Sequence, residues 1–237
     1  MEDDVEFMKQ HLLSIMRDKR TDSAEFRRAS DALAPLVCAE AFAKLPHATR
    51  PVVTPVGVAQ GVSISSEIMV VPILRSGLTF LPAVKKLMPG VSLGVLGMKR
   101  DEKTAEAHAY YKRFPKTLPR RAMILDHMFA TGGSAMLALD ELFTNSGYKA
   151  DHVYFCGTVA APEGVARLAE RIPRKNITVV AVDERLNDKK YIVPGLGDFG
   201  DRYFGHSNPL SYAELAEFLE GEDRWMVDEI IAATSGM

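Results

Sequence analysis

Residues 122–135, Ala-Met-Ile-Leu-Asp-His-Met-Phe-Ala-Thr-Gly-Gly-Ser-Ala, constrain the chain more than any other stretch. Ala122 to Leu125 form a short apolar run of the kind that becomes a buried strand, and the run stops at an acid, Asp126. Thr131-Gly132-Gly133-Ser134 then supplies two residues free to take positive φ, two hydroxyls and a row of backbone N–H groups. A helix pattern begins at Ala135. A strand, a glycine and hydroxyl loop, and a helix N-terminus together make a site for a phosphate monoester. The acid beside it suits another group of the same ligand, and a ribose diol fits because a carboxylate accepts hydrogen bonds from two neighbouring hydroxyls.

The bland alternative is an ordinary strand-to-helix turn in which Gly133 and Ser134 only start a helix. No Lys follows the glycines, which excludes a P-loop. The glycines are adjacent, which excludes the G-x-G-x-x-G dinucleotide fingerprint.

Other apolar runs end in the same way. Ile68 to Leu74 runs into Arg75-Ser76-Gly77, followed by a helix to about Met88 before Pro89-Gly90. Arg75 at such an end is placed to hold a doubly charged leaving group, or else is a surface cation pairing with Glu67. Ser92 to Met98 ends at Lys99-Arg100-Asp101-Glu102. The aperiodic stretch from Lys103 to Pro119 reads as a lid over a site, or around Ala105 to Ala109 as a hairpin with a solvated tip. Asp151 to Ala161 is a strong strand with Pro162 at the first position of the next helix, and Asn176 to Val182 is the last core strand.

Strands alternating with helices at this spacing predict an α/β fold with a mainly parallel central sheet flanked by helices, its ligands at the carboxyl ends of the strands. Arg75, Arg100, Asp126 and the neighbourhood of Asp183 would meet there. Upstream, Asp22 with Glu25 makes a capping box for a helix to about Lys44, its apolar face running from Phe26 to Phe42. Prolines 46, 51 and 55 break the next region, 46–65, into edge strands or an arm. Residues 186–205 carry Gly195, Gly197, Gly200 and Gly205, too many for a helix, so they form a shaped loop displaying backbone polar groups. Such a loop can read the alternating carbonyl and N–H edge of a small planar base.

The 237 residues, 47% apolar and 25% charged, fit one domain, with 66–183 as its core and 206–237 as a C-terminal extension. With 29 basic and 31 acidic residues the net charge is −2, which disfavours nucleic acid or anionic membrane as partners. The basic cluster Arg113 to Arg121 reads as a solvated loop. Two sparse cysteines, Cys38 and Cys156, read as buried free thiols of a reducing compartment. Neither a signal peptide pattern at Met-Glu-Asp-Asp nor an apolar run of membrane-spanning length is present, so a cytoplasmic location is expected.

Pro72-Ile73-Leu74-Arg75-Ser76-Gly77, Asp126 with Ala130 to Ser134, Ala160-Ala161-Pro162-Glu163-Gly164 and Tyr191 to Asp198 resemble, in that order, the successive hallmarks of the uracil phosphoribosyltransferases. These are type I phosphoribosyltransferases, and the likeness covers roughly residues 8–205. It implies conversion of uracil and 5-phosphoribosyl 1-pyrophosphate (PRPP) to UMP and pyrophosphate, in pyrimidine salvage. Arg75 and Arg100 would hold pyrophosphate, Asp126 the ribose hydroxyls, and Ala130, Thr131, Gly132, Gly133 and Ser134 the 5-phosphate. Ile192, Gly197, Asp198 and Phe199 would meet uracil mainly through backbone groups. Asp198 would also face PRPP and its Mg2+, which PRPP itself mainly holds, so that Arg75, Arg100, Asp126 and Asp198 form the catalytic set. The resemblance also implies a homodimer or homotetramer. Some members are activated by GTP, whose pocket nothing in this sequence marks.

The chain departs from the family at Ser76, His127, Phe129 and Phe199, where Ala, Pro, Leu and, in many bacterial members, Ala are usual. His127 invites a catalytic reading that a family working with Pro there does not need. Two other functions stay open, a non-catalytic nucleotide-sensing regulator of this fold and a transferase for another base.

Overall fold

The computed structural model describes residues 2–100 and 107–205. Two helices, α1 (Glu2–Arg17) and α2 (Ser23–Ala43), come first. A hairpin of β1 (His47–Thr54) and β2 (Gly57–Ile64) follows, then β3 (Ile68–Leu74), a 3-10 turn over Ser76–Phe80 and α3 (Leu81–Leu87). Next are β4 (Ser92–Leu93), β5 (Val95–Arg100), β6 (Ala107–Arg113), β7 (Arg121–Leu125), β8 (Met128–Phe129) and α4 (Gly133–Asp140). The chain continues through β9 (Val153–Ala160), α5 (Pro162–Ala169), β10 (Ile177–Val182), β11 (Arg185–Leu186), β12 (Ile192–Val193) and α6 (Phe199–Phe204).

Across the central sheet the order is β10-β9-β7-β3-β5-β6, with β4 beside β3 and β8 beside β9. Every pairing is parallel except that of β5 with β6. The strands are apolar on both faces because both are covered. Val70, Met123, Leu125, Tyr154 and Cys156 pack with α1, α2 and α3, while Met69, Val71, Ala122, Ile124 and Phe155 pack with α4 and α5. Alternate residues of one strand thus serve two cores, as the pleat requires.

Asp22 caps α2 by accepting the Glu25 amide at 2.8 Å, as its sequence signature predicts. Residues 46–65 form the expected arm, a two-stranded hairpin joined to no other sheet. The lid expected over Lys103 to Pro119 is largely the hairpin partner of β5, since residues 107–113 pair antiparallel with it. Residues 101–106 of that region, and the C-terminal extension 206–237, lie outside the described residues. Arg121, expected in a solvated loop, starts β7 and is only 9% exposed. Cys38 and Cys156 are both buried and free.

Candidate functional site

Parallel strands deliver their carboxyl ends to one edge of the sheet, and the first of these to matter is that of β7. There Asp126 is 7% exposed and accepts a hydrogen bond from the Ser76 hydroxyl at 2.7 Å. Burial pushes its pKa up to about 6, against the opposing pull of Ser76 and the amides of Met128 and His127. The neighbouring strand β3 ends in Arg75, whose side chain is 42% exposed. Gly77 lies tight against the Leu125 carbonyl, so any side chain there would force the Arg75 turn away from Asp126.

Between Asp126 and α4 the loop forms a small cavity of about 30 Å³ lined by Asp126 and by Ala130, Thr131, Gly132, Gly133 and Ser134. Gly132 takes φ +78, a conformation that suits glycine, and starts α4, whose first amides have no partner within the helix. Arg167 of α5 donates to the Thr131 carbonyl at 2.8 Å and fixes the loop from outside. Gly164, in the Pro-Glu-Gly signature, sits so close to the Ala130 carbonyl that a Cβ would collide with it. That signature is therefore a packing requirement of the loop.

Beside it opens a cleft of about 350 Å³ lined by Arg75, Ser76, Ile192, Gly197, Asp198 and Phe199, among others. Gly200 separates the Asp198 carboxylate from the Arg75 guanidinium. A Cβ there would lie 3.3 Å from one and 3.4 Å from the other. Asp198 caps α6 through the Asp201 amide at 2.9 Å, and Asp201 itself stands 3.8 Å from Arg75. The backbone of β5 brings Arg100 to the same edge, next to the end of β3, while its side chain lies outside the described residues.

The ring of Phe199 is buried, 1% exposed, so the large residue at this position faces the core. It stacks on the His127 imidazole at 3.8 Å between centroids, and His127 stacks in turn on Phe80 at 4.0 Å. His127 Nε2 lies 2.5 Å from the Thr79 hydroxyl and Nδ1 lies 2.7 Å from that of Thr158. Both nitrogens are thus occupied, and burial holds the imidazole pKa well below its usual value. A neutral, doubly bonded ring at 1% exposure has no lone pair to offer a substrate, so the structure opposes a catalytic His127.

Sequence reasoning missed the residues that hold the 186–205 loop, the hood. Arg17 of α1 donates to both oxygens of Asp183, at 2.8 and 2.5 Å, and to the Gly195 carbonyl at 2.8 Å. Asp183 also accepts the Gly195 amide at 2.8 Å, so its carboxylate is spent on the hood. Arg202 reaches the carbonyls of Leu196, Asp18 and Thr21 at 2.8, 2.7 and 3.4 Å, and that of Met16 as well. Among these residues the sequence carries one cue, an acid directly after the strong strand β10.

A family model described as uracil phosphoribosyltransferase matches residues 6–206. The chain is 42% identical over 196 residues to the uracil phosphoribosyltransferase of Campylobacter curvus, and 44% identical over 200 residues to that of Beutenbergia cavernae. Each alignment covers 82% of this chain and 93% of the relative. Among solved structures, the AQ2163 protein of Aquifex aeolicus is similar with a TM-score of 0.73 at 38% identity, over 85% of this chain and 96% of that one. With a family model over residues 6–206 and relatives of this identity over nearly their whole length, the chain belongs to the uracil phosphoribosyltransferase family.

Proposed function

We propose that the chain transfers the 5-phosphoribosyl group of PRPP to N1 of uracil, giving UMP and pyrophosphate. The observation that carries this reading is the meeting, at one sheet edge, of the 130–134 loop, Asp126, Arg75 and a hood of backbone groups. The loop amides take the 5-phosphate and the Asp126 carboxylate accepts the ribose hydroxyls. Arg75, with Arg100 from β5, takes the pyrophosphate. Ile192, Gly197, Asp198 and Phe199 meet the uracil edge through the backbone.

As the C1–oxygen bond to pyrophosphate breaks and the C1–N1 bond forms, positive charge grows on the ribose while negative charge grows on the leaving group. Arg75 stands where that negative charge develops, and Asp126 lies on the ribose side. The N1 proton leaves with pyrophosphate or to solvent, since both His127 nitrogens are occupied.

Among the described residues no cluster of three His, Cys, Asp or Glu could hold a metal alone. The cleft suits Mg2+ held mainly by the oxygens of PRPP, with Asp198, across Gly200 from Arg75, as the protein carboxylate beside it. Bound there, Mg2+ would supply charge neutralisation to the leaving pyrophosphate.

The same reading makes the chain one folded unit, a homodimer or homotetramer of the cytoplasm, with GTP as a candidate activator to be tested. A two-stranded hairpin is marginal on its own in water, and this one exposes Val53 at 85% and Val58 at 70%, which suits burial against a second copy. Light scattering on Val53→Lys/Val58→Lys should show a smaller species than the parent.

Pyrophosphate release measured with uracil, cytosine and hypoxanthine in turn, with and without GTP, tests the reaction. Turnover with uracil alone is expected. Tight UMP binding without turnover on any base would reject the enzymatic reading in favour of a nucleotide sensor.

A further inference from the structure

A second cleft, of about 600 Å³, opens at the opposite edge of the sheet, at the amino ends of β7, β9 and β10. It is larger than the catalytic cleft and shares no residue with it. Its walls include Arg121, Lys175, Lys44, His47 and His152, against one acid, Asp151, which stands 3.8 Å from His152. This concentration of positive charge occurs on a chain whose net charge is −2.

Arg121 is the decisive member. It is 9% exposed, and among the described residues its side-chain hydrogen bond is a long one, 3.4 Å to the Ser65 hydroxyl, and no carboxylate lies in ion-pair range. A guanidinium cannot shed its proton, so burial without an anion leaves a charge uncompensated. Lys175, exposed on the rim, also has no carboxylate partner among the described residues. Lys44 is partly spent, on the Ile177 carbonyl at 2.9 Å and on Glu40 at 3.5 Å.

We propose that this cleft binds a polyphosphate group, with Arg121 as its buried fork and Lys175 as its outer cation. The guanidinium fork matches two phosphate oxygens. The volume of about 600 Å³ and the separate rim cation suit a chain of phosphates, since a lone phosphate on Arg121 would leave Lys175 and both imidazoles unused. The shared chemistry is that of an inorganic chain or of the triphosphate of a nucleotide. The site stands independently of the reaction proposed above.

Calorimetric titration of the full chain with inorganic tripolyphosphate, in an Arg75→Ala background that weakens the catalytic cleft, tests it. Binding is expected, and Lys175→Glu and Arg121→Met should each weaken it by about tenfold or more. Lys175→Glu, on an exposed position, keeps the test valid if Arg121→Met fails to fold. In the parent background Lys175→Glu should leave the rate of uracil transfer unchanged. ATP displacing tripolyphosphate would assign the site to nucleotide triphosphates, and ATP failing to do so would assign it to inorganic chains. The proposal is overturned if Lys175→Glu binds tripolyphosphate as its parent does. It is equally overturned if a crystal of the oligomer shows the cleft filled by carboxylates of a second copy.

Discussion

In the glycine loop, residues 126–134, shape comes from within: a left-handed Gly132, a hydroxyl and the start of a helix follow one another in the chain. In the hood, residues 186–205, shape comes from outside, through Arg17 and Asp183 on one side and the His127–Phe199 stack on the other. The two regions face the same cleft, yet one carries its own instructions and the other borrows them from residues as far off as the first helix. A substitution near the loop should therefore damage chemistry directly. One near the hood should act through stability and through the binding of the base.

Breaking the loop side should give the largest effect. Arg75→Ala is expected to lower kcat/KM by a hundredfold to a thousandfold, about 3 to 4 kcal/mol of transition-state binding, with the fold intact in a urea melt. A near-normal rate would remove Arg75 from the pyrophosphate site.

On the hood side, Asp183→Ala leaves the Arg17 guanidinium without its carboxylate and the Gly195 amide without an acceptor. A loss of about 3 kcal/mol in unfolding free energy is expected, with KM for uracil rising more than KM for PRPP. Equal rises in both would mean that the hood and the glycine loop are one rigid body.

His127→Phe sharpens the comparison further, since it keeps a ring in the stack and removes both hydrogen bonds. The buried Thr158 hydroxyl then loses its partner in a dry core while Thr79 keeps its donation to the Ser76 carbonyl at 2.9 Å, at a cost of about 2 kcal/mol. The same histidine makes the fold sensitive to acid. Its folded pKa lies below the unfolded value of 6.5, so the stability it contributes is intact above that pH and is lost as the pH falls below it. His127→Phe should flatten that part of an unfolding profile taken between neutral pH and pH 5.

The smallest effect concerns the ionisation of Asp126. With its pKa pushed up to about 6, the carboxylate is protonated as the pH falls through that value. A proton there blocks its role as acceptor for the ribose hydroxyls, so kcat/KM for PRPP should drop about tenfold for each pH unit below 6. A profile that stays flat to pH 5 would exclude Asp126 as the ribose acceptor.

This division explains how much of the molecule was legible in its sequence. The alternation of strands and helices, the Asp22 cap and the turn at Gly132 follow from local pattern, because neighbours in the chain do the work. Asp183 looked like one more ligand at a strand end, and only the fold reveals Arg17 beside it, 166 positions away. Arg17 itself lay in a charged stretch without clear periodicity. Helix α1 exposes Val5, Phe7 and Met8, so its buried stripe, with Leu13 and Met16, is hard to see. Arg121 deceived for the opposite reason, because a basic run normally marks solvent and here its last member enters the sheet.

The sandwich of Phe80, His127, Phe199 and Tyr203 also limits how this lineage can drift. Shrinking either His127 or Phe199 alone would open a void between flat faces, so a smaller residue at one site gains nothing unless the other changes with it. The two positions should consequently vary in concert among descendants of this chain, as a linked pair inherited or lost together.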